Sequence, residues 1–106
     1  MTIMQFMQRE ALAFRLLTAI ATTAGEAGRS ISYAPATWLR ATPNDRNRVR
    51  WSRLTRRMES MKLVRRHVDF SRDRVRLISI TPEGWNWIID NCGAGAILNF
   101  EELCQP

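Results

Sequence analysis

Between Trp51 and Ile80 the apolar period changes from that of a helix to that of a strand, and few small folds accommodate such a switch. Trp51, Leu54, Met58 and Met61 are spaced three, four and three residues apart, so they form one stripe that must face a core. At about 100° per residue, the opposite face of that helix carries Asp45, Arg46, Val49, Ser52, Arg53, Arg56 and Ser60. From Leu63 to Phe70 the pattern alternates, with Val64, Val68 and Phe70 on one parity and Arg65, His67 and Asp69 on the other. Ser71-Arg72-Asp73 makes a turn, and Arg74 to Thr81 returns as a second strand through Val75, Leu77, Ile78 and Ile80. The helix is therefore followed by a hairpin tipped with arginines.

The flanking segments carry their own start and stop signals. Thr42 can cap the arginine-rich helix, Pro43 suits its first position and Asp45 stands where a capping-box acid belongs, which predicts a helix over about 43–61. Upstream, Met4, Met7, Ala11, Phe14, Leu17 and Ala21 recur at three- and four-residue steps, predicting one long amphipathic helix from Ile3 to Ala24. Gly25-Glu26-Ala27-Gly28 closes it, because glycine takes the left-handed conformation at low cost. Ser30 to Tyr33 reads as a short strand, and Pro35 opens a short helix to about Ala41, anchored by Trp38 and Leu39. Downstream, Thr81-Pro82-Glu83 starts a helix with Trp85, Ile88 and Ile89 on its surface, broken at Asn91-Cys92-Gly93. Ile97 to Leu103 reads as a last short helical piece.

The predicted order is helix, short strand, helix, helix, hairpin, helix: mainly α with a small β-hairpin. That is the order of a winged helix-turn-helix flanked by N-terminal and C-terminal helices. A chain of 106 residues accommodates one such domain. Its core is expected over about 30–89, with 3–24 and 83–104 as dimerisation helices, because Phe6, Met7, Phe14, Ile97, Leu98, Phe100 and Leu103 lie outside the core motif and surplus apolar surface marks an interface.

Charge distribution points to a partner. Between Arg46 and Arg76 there are twelve basic side chains, eleven of them arginine, against Glu59, Asp69 and Asp73, a local net of +9 within a chain of +6. Arginine's planar fork matches phosphate oxygens and guanine edges better than a lysine does. The candidate DNA-binding set is Arg46, Arg48, Val49, Arg50, Ser52, Arg53, Arg56 and Arg57 on the helix, with Arg65, Arg72, Arg74 and Arg76 on the hairpin. Val49, apolar on a polar face, means either a slightly rotated helix or a contact with a thymine methyl.

Trp51-Ser52-Arg53-Leu54-Thr55-Arg56-Arg57-Met58-Glu59 resembles the recognition helix of the multiple-antibiotic-resistance-regulator (MarR) family, with the phenolic-acid-regulator (PadR) family second. Lys62-Leu63-Val64-Arg65-Arg66 resembles the exit into the first wing strand, Arg72-Asp73-Arg74 the wing tip, and Leu77 to Gly84 the second wing strand and the start of the next helix. The resemblance covers about Ser30 to Ile89. It implies a dimeric transcriptional regulator whose helix over about 43–61 enters a major groove, Arg53 reading bases, with the wing over about 63–81 on the backbone or in the minor groove. Where the family has glycine after the recognition helix, this chain has Lys62. Either the exit turn differs or the lysine takes a left-handed conformation.

Other classes fit less well. There is no glycine-rich phosphate loop, no metal-ligand spacing and no nucleophile beside a base, so the sequence predicts no enzyme, no cofactor and no metal site. His67 has no companions, and Cys92 and Cys104 read as free thiols. No apolar run is long enough to span a bilayer and no leader pattern opens the chain, which predicts a cytoplasmic, nucleoid-associated protein. An RNA-binding winged helix would need exposed aromatics for stacking on unpaired bases. A protein-interaction adaptor would leave the +9 centre unexplained.

Overall fold

The computed structural model describes residues 1–72 and 74–93. It is mainly helical with a small three-stranded antiparallel sheet. In chain order the elements are α1 (Ile3–Arg9), α2 (Ala11–Ala24), β1 (Ile31–Ser32), α3 (Pro35–Leu39), α4 (Asp45–Ser60), β2 (Val64–Asp69), β3 (Arg74–Ile80) and α5 (Pro82–Cys92). The segment Ile97–Leu103, Cys104 and Asp73 lie outside the described residues. Cys92 is a free thiol. No helix among the described residues is long and apolar enough to cross a membrane.

The centre of the molecule is α2, whose Leu16, Leu17 and Ile20 are fully buried. Trp51, Leu54 and Met58 of α4, Val64, Ile78 and Ile80 of the sheet and Ile88 of α5 close around it. Each such side chain contributes about 1.5–3 kcal/mol relative to exposure. The predicted helical stripe of α4 is thus the face that packs. Trp38, Trp85 and Trp87 are half-buried against the same core, Trp87 meeting Phe14 edge-on at 6.5 Å between ring centroids.

The long N-terminal helix expected over Ile3 to Ala24 is instead two helices, interrupted at Glu10 (φ −120°, ψ 77°). The cause is legible in the stripe itself. Glu10 stands four residues after Phe6 and three before Ala13, so a continuous helix would press a carboxylate into the core, which is costly without a partner. The break turns Glu10 outward, where its carbonyl accepts from Ala13 N (2.9 Å) and its carboxylate lies 3.9 Å from Arg50. It also lets Phe6 and Met7 fold into the core of their own chain, at 4% and 5% exposure, so these two do not supply the surplus surface predicted for a dimer.

β3 is the central strand, paired with β1 through Ile31–Ile78 and with β2 from Val64–Ile80 to Asp69–Arg74. His67 faces Leu77 while Val68 faces Val75, which leaves Arg76 as an extra residue in β3. This bulge explains why the apolar positions of β3 change parity between Val75 and Ile78. The Arg76 carbonyl still finds a donor, Tyr33 N at 3.1 Å.

Two helix ends use cationic residues in the left-handed region. Arg40 (φ 51°) closes α3 and Lys62 (φ 63°) closes α4. Of the two alternatives for the α4 exit, the lysine takes the left-handed conformation. The next helix begins as predicted: Thr81 caps α5 by accepting from Gly84 N (2.9 Å), with Pro82 at the first position. The same hydroxyl donates to the Lys62 carbonyl (2.6 Å), tying the start of α5 to the exit of α4.

Candidate nucleic-acid interface

Capping sets where α4 begins, and the cap is Asn44 in place of Thr42. The Asn44 side chain accepts from Asn47 N (2.9 Å), while the Thr42 carbonyl accepts from Asn47 Nδ2 (2.8 Å). The helix therefore starts at Asp45, with Pro43 in the lead-in rather than in the first turn. Asparagine caps at least as well as threonine, and its side chain satisfies the Asn47 N–H of the first turn.

With Trp51, Leu54 and Met58 pinned inside, rotation about α4 distributes the other side chains over three strips. The crest carries Arg46, Val49 and Arg53, all exposed. Val49 is 67% exposed while Trp51, Leu54 and Met58 are buried, so the helix is not rotated and the Val49 methyl groups stand in solvent. One flank carries Arg48, Ser52 and Arg56. Arg48 and Ser52 share a groove of about 570 Å³ with Tyr33 and Pro35 at the entry to α3 and with Arg74 and Arg76 of the hairpin. Helix and hairpin therefore present cations to one concavity. Burial pushes the Tyr33 phenol above its ordinary range, so at neutral pH that wall stays uncharged.

The other flank carries Arg50 and Arg57, both exposed and lying beside the α1–α2 junction and α1; Arg50 also borders a hollow with the crest residues Arg46, Val49 and Arg53. Arg50 lies 3.9 Å from Glu10 Oε2, and the Arg57 guanidinium sits over the Phe6 ring at 5.7 Å from its centroid. Arg48 also meets an acid, Asp45 at 3.5 Å, but both groups are open to water and such a pair is worth little.

On the hairpin the predicted set divides. Arg72 is exposed in the turn, and Arg74 and Arg76 line the groove. Arg65 points elsewhere, into a hollow with Glu59, Lys62 and Glu83, because it sits on the sheet parity opposite Val64. Arg66, on the inner parity, is mostly buried and bonded to α4. Its backbone N and Nε donate to the Glu59 carboxylate at 2.8 and 3.2 Å. That contact braces β2 against the last turn of α4. His67 Nε2 lies 3.4 Å from Ser30 Oγ, and among the described residues no cluster of His, Cys, Asp and Glu is placed to hold a metal ion.

The chain matches no protein-family model, no curated protein and no solved structure in these comparisons.

Two features of the site were not foreseen from the residues. The wall formed by Tyr33 and Pro35 comes from a separate element, and no spacing rule links it to α4. Phe70, expected on the apolar parity of β2, lies beyond the strand end and is 91% exposed.

Proposed function

We propose that this chain is a winged helix that binds duplex DNA sequence-specifically, with α4 in the major groove and the β2–β3 hairpin along the backbone or in the adjacent minor groove. The observation that carries this reading is the shared groove: arginines of α4 and of the hairpin line one concavity beside an exposed helix crest. A major groove about 12 Å wide admits one helix, and the crest residues Arg46, Val49 and Arg53 are those that would meet base edges. Arg53 is assigned to a guanine edge and Val49 to a thymine methyl; Arg48, Arg56, Arg74 and Arg76 are assigned to phosphates. As a transcriptional regulator of the MarR or PadR kind the chain would act as a symmetric pair, placing two copies of α4 about 34 Å apart on a palindromic site.

The test is selection of a preferred duplex from a random pool, followed by titration of that duplex, a scrambled duplex and a structured RNA. Arg53→Ala is expected to lose about 1–3 kcal/mol of discrimination at one or two base pairs, while Arg74→Ala weakens all duplexes evenly. Tighter binding of the RNA, or equal losses for both variants on both duplexes, would refute the assignment. Light scattering with and without the duplex counts the copies.

A further inference from the structure

Phe70 is the most exposed of the large hydrophobic side chains among the described residues, and it stands at the tip of a basic hairpin. Its place is fixed by the turn beneath it. β2 ends at Asp69, whose carboxylate accepts from Ser71 N (3.1 Å) and Ser71 Oγ (2.6 Å), and whose carbonyl accepts from Arg72 N (3.1 Å). The Ser71 hydroxyl holds the Asp69 carboxyl below its usual range, so the turn stays tied at neutral pH. These bonds brace the stretch from Asp69 to Arg72 on which Phe70 is presented. The bulge at Arg76 adds twist to the outer half of the hairpin, as bulges do where a strand end must be re-aimed.

Its surroundings select the partner. Arg72 in the turn and Arg74 at the start of β3 are both exposed and follow Phe70 by two and four residues, with Asp73 between them in the sequence, while the Asp69 carboxylate before the ring is engaged by Ser71. A purely apolar partner would have to strip water from those cations. A polyanion whose charges lie outside and whose stacked apolar faces lie inside meets all three side chains at once, and duplex DNA has that layout. Aromatic and aliphatic wedges enter the minor groove and open base steps, which bends the duplex, and pyrimidine–purine steps open most readily.

We propose that Phe70 is a wedge that inserts between base pairs at a pyrimidine–purine step, with Arg72 and Arg74 on the flanking phosphates. The inference rests on the duplex-binding reading above and adds a deformation of the DNA to it. The hairpin would then choose its site by how easily a step opens, a form of specificity that needs no hydrogen bond to a base.

The experiment uses the full chain and duplexes of about 30 base pairs rich in TA steps, each with 2-aminopurine in place of one adenine. The wild-type chain is expected to raise the 2-aminopurine fluorescence at one step by unstacking it. Phe70→Ala is expected to abolish that rise and to weaken binding roughly tenfold, while Phe70→Leu keeps part of both. An unchanged melting temperature for Phe70→Ala, expected of a residue so exposed, assigns the loss to the DNA contact. Duplex binding without any fluorescence rise, or an equal rise with Phe70→Ala, would overturn the wedge and leave the α4 reading standing. Absence of duplex binding by the wild-type chain would overturn both.

Discussion

Replacing Lys62 by glycine should make the protein more stable, although the substitution removes a side chain and a charge. The exit of α4 is a Schellman motif: Leu63 N donates to Met58 O (3.0 Å), Lys62 N donates to Glu59 O (2.9 Å), and Lys62 at φ 63° makes the reversal. Met58 and Leu63, both buried, supply the accompanying apolar contact. For an L-residue the left-handed conformation costs about 1–2 kcal/mol. Glycine removes that cost but loses about 0.4–1 kcal/mol more backbone entropy on folding, and the lysine cation near the helix C-terminus is worth about 0.3 kcal/mol. The balance favours Lys62→Gly by about 0.5 kcal/mol, a rise in Tm of about 3 °C for a domain of this size. Lys62→Ala keeps the strain and loses the cation, so it should melt below the wild type, and Lys62→Asn should fall between alanine and glycine. Thermal unfolding followed by far-ultraviolet circular dichroism ranks the series. An alanine variant as stable as the glycine variant would show that Lys62 is not held left-handed.

Two further substitutions probe how the elements around the interface are set. Gly84→Ala would drive a methyl group into the Leu63 carbonyl oxygen, a backbone atom, and against Ile80, so it should cost about 2 kcal/mol in urea unfolding; a change within error of zero would mean that α5 moves away freely. Asn44→Ala should cost about 1 kcal/mol and Thr42→Ala only a few tenths, since Asn44 makes the cap; the reverse order would move the start of α4 back to Pro43.

What could be read from the residues, and what could not, divides along one physical line. The stripe of α4, the Pro35 and Thr81-Pro82 helix starts and the hairpin each depend on neighbours within a turn or two, and all are present. The break at Glu10 depends on knowing that Phe6 and Ala13 face one core, a tertiary fact. The bulge at Arg76 was written into the sequence as an apolar parity that changes between Val75 and Ile78, and that signal is readable once the strand is known to be continuous. Of the arginines, composition shows how many there are and helical spacing shows which lie opposite the stripe. It does not show that Glu10 comes beside Arg50 and α1 beside Arg57, or that Arg66 turns inward to bond Glu59 while Arg65 faces the hollow next to Lys62 and Glu83.

Arg56 and Arg57 put that division to its sharpest test, because they are adjacent and chemically identical. One residue of helical rotation, about 100°, places Arg56 on the strip with Arg48 and Ser52 and places Arg57 over the ring of Phe6. Among the described residues no carboxylate lies within ion-pair distance of Arg56, so its cation is available to a phosphate. Each phosphate neutralised on a duplex steepens the dependence of log affinity on log salt by about 0.9. Arg56→Ala should therefore flatten that slope by about 0.9 and leave the melting temperature of the free protein near its wild-type value. Arg57→Ala should do the opposite. Its guanidinium stabilises the α1–α4 contact by about 0.5–1 kcal/mol, so the free protein should melt about 4 °C lower, with a salt slope changed by less than half as much as in Arg56→Ala. The measurements are titrations of one duplex at several salt concentrations and thermal melts of the two variants. Equal slopes with equal melting temperatures would mean that the packing of α1 does not partition the cations of α4, and the basic face would then have to be treated as a single undifferentiated surface.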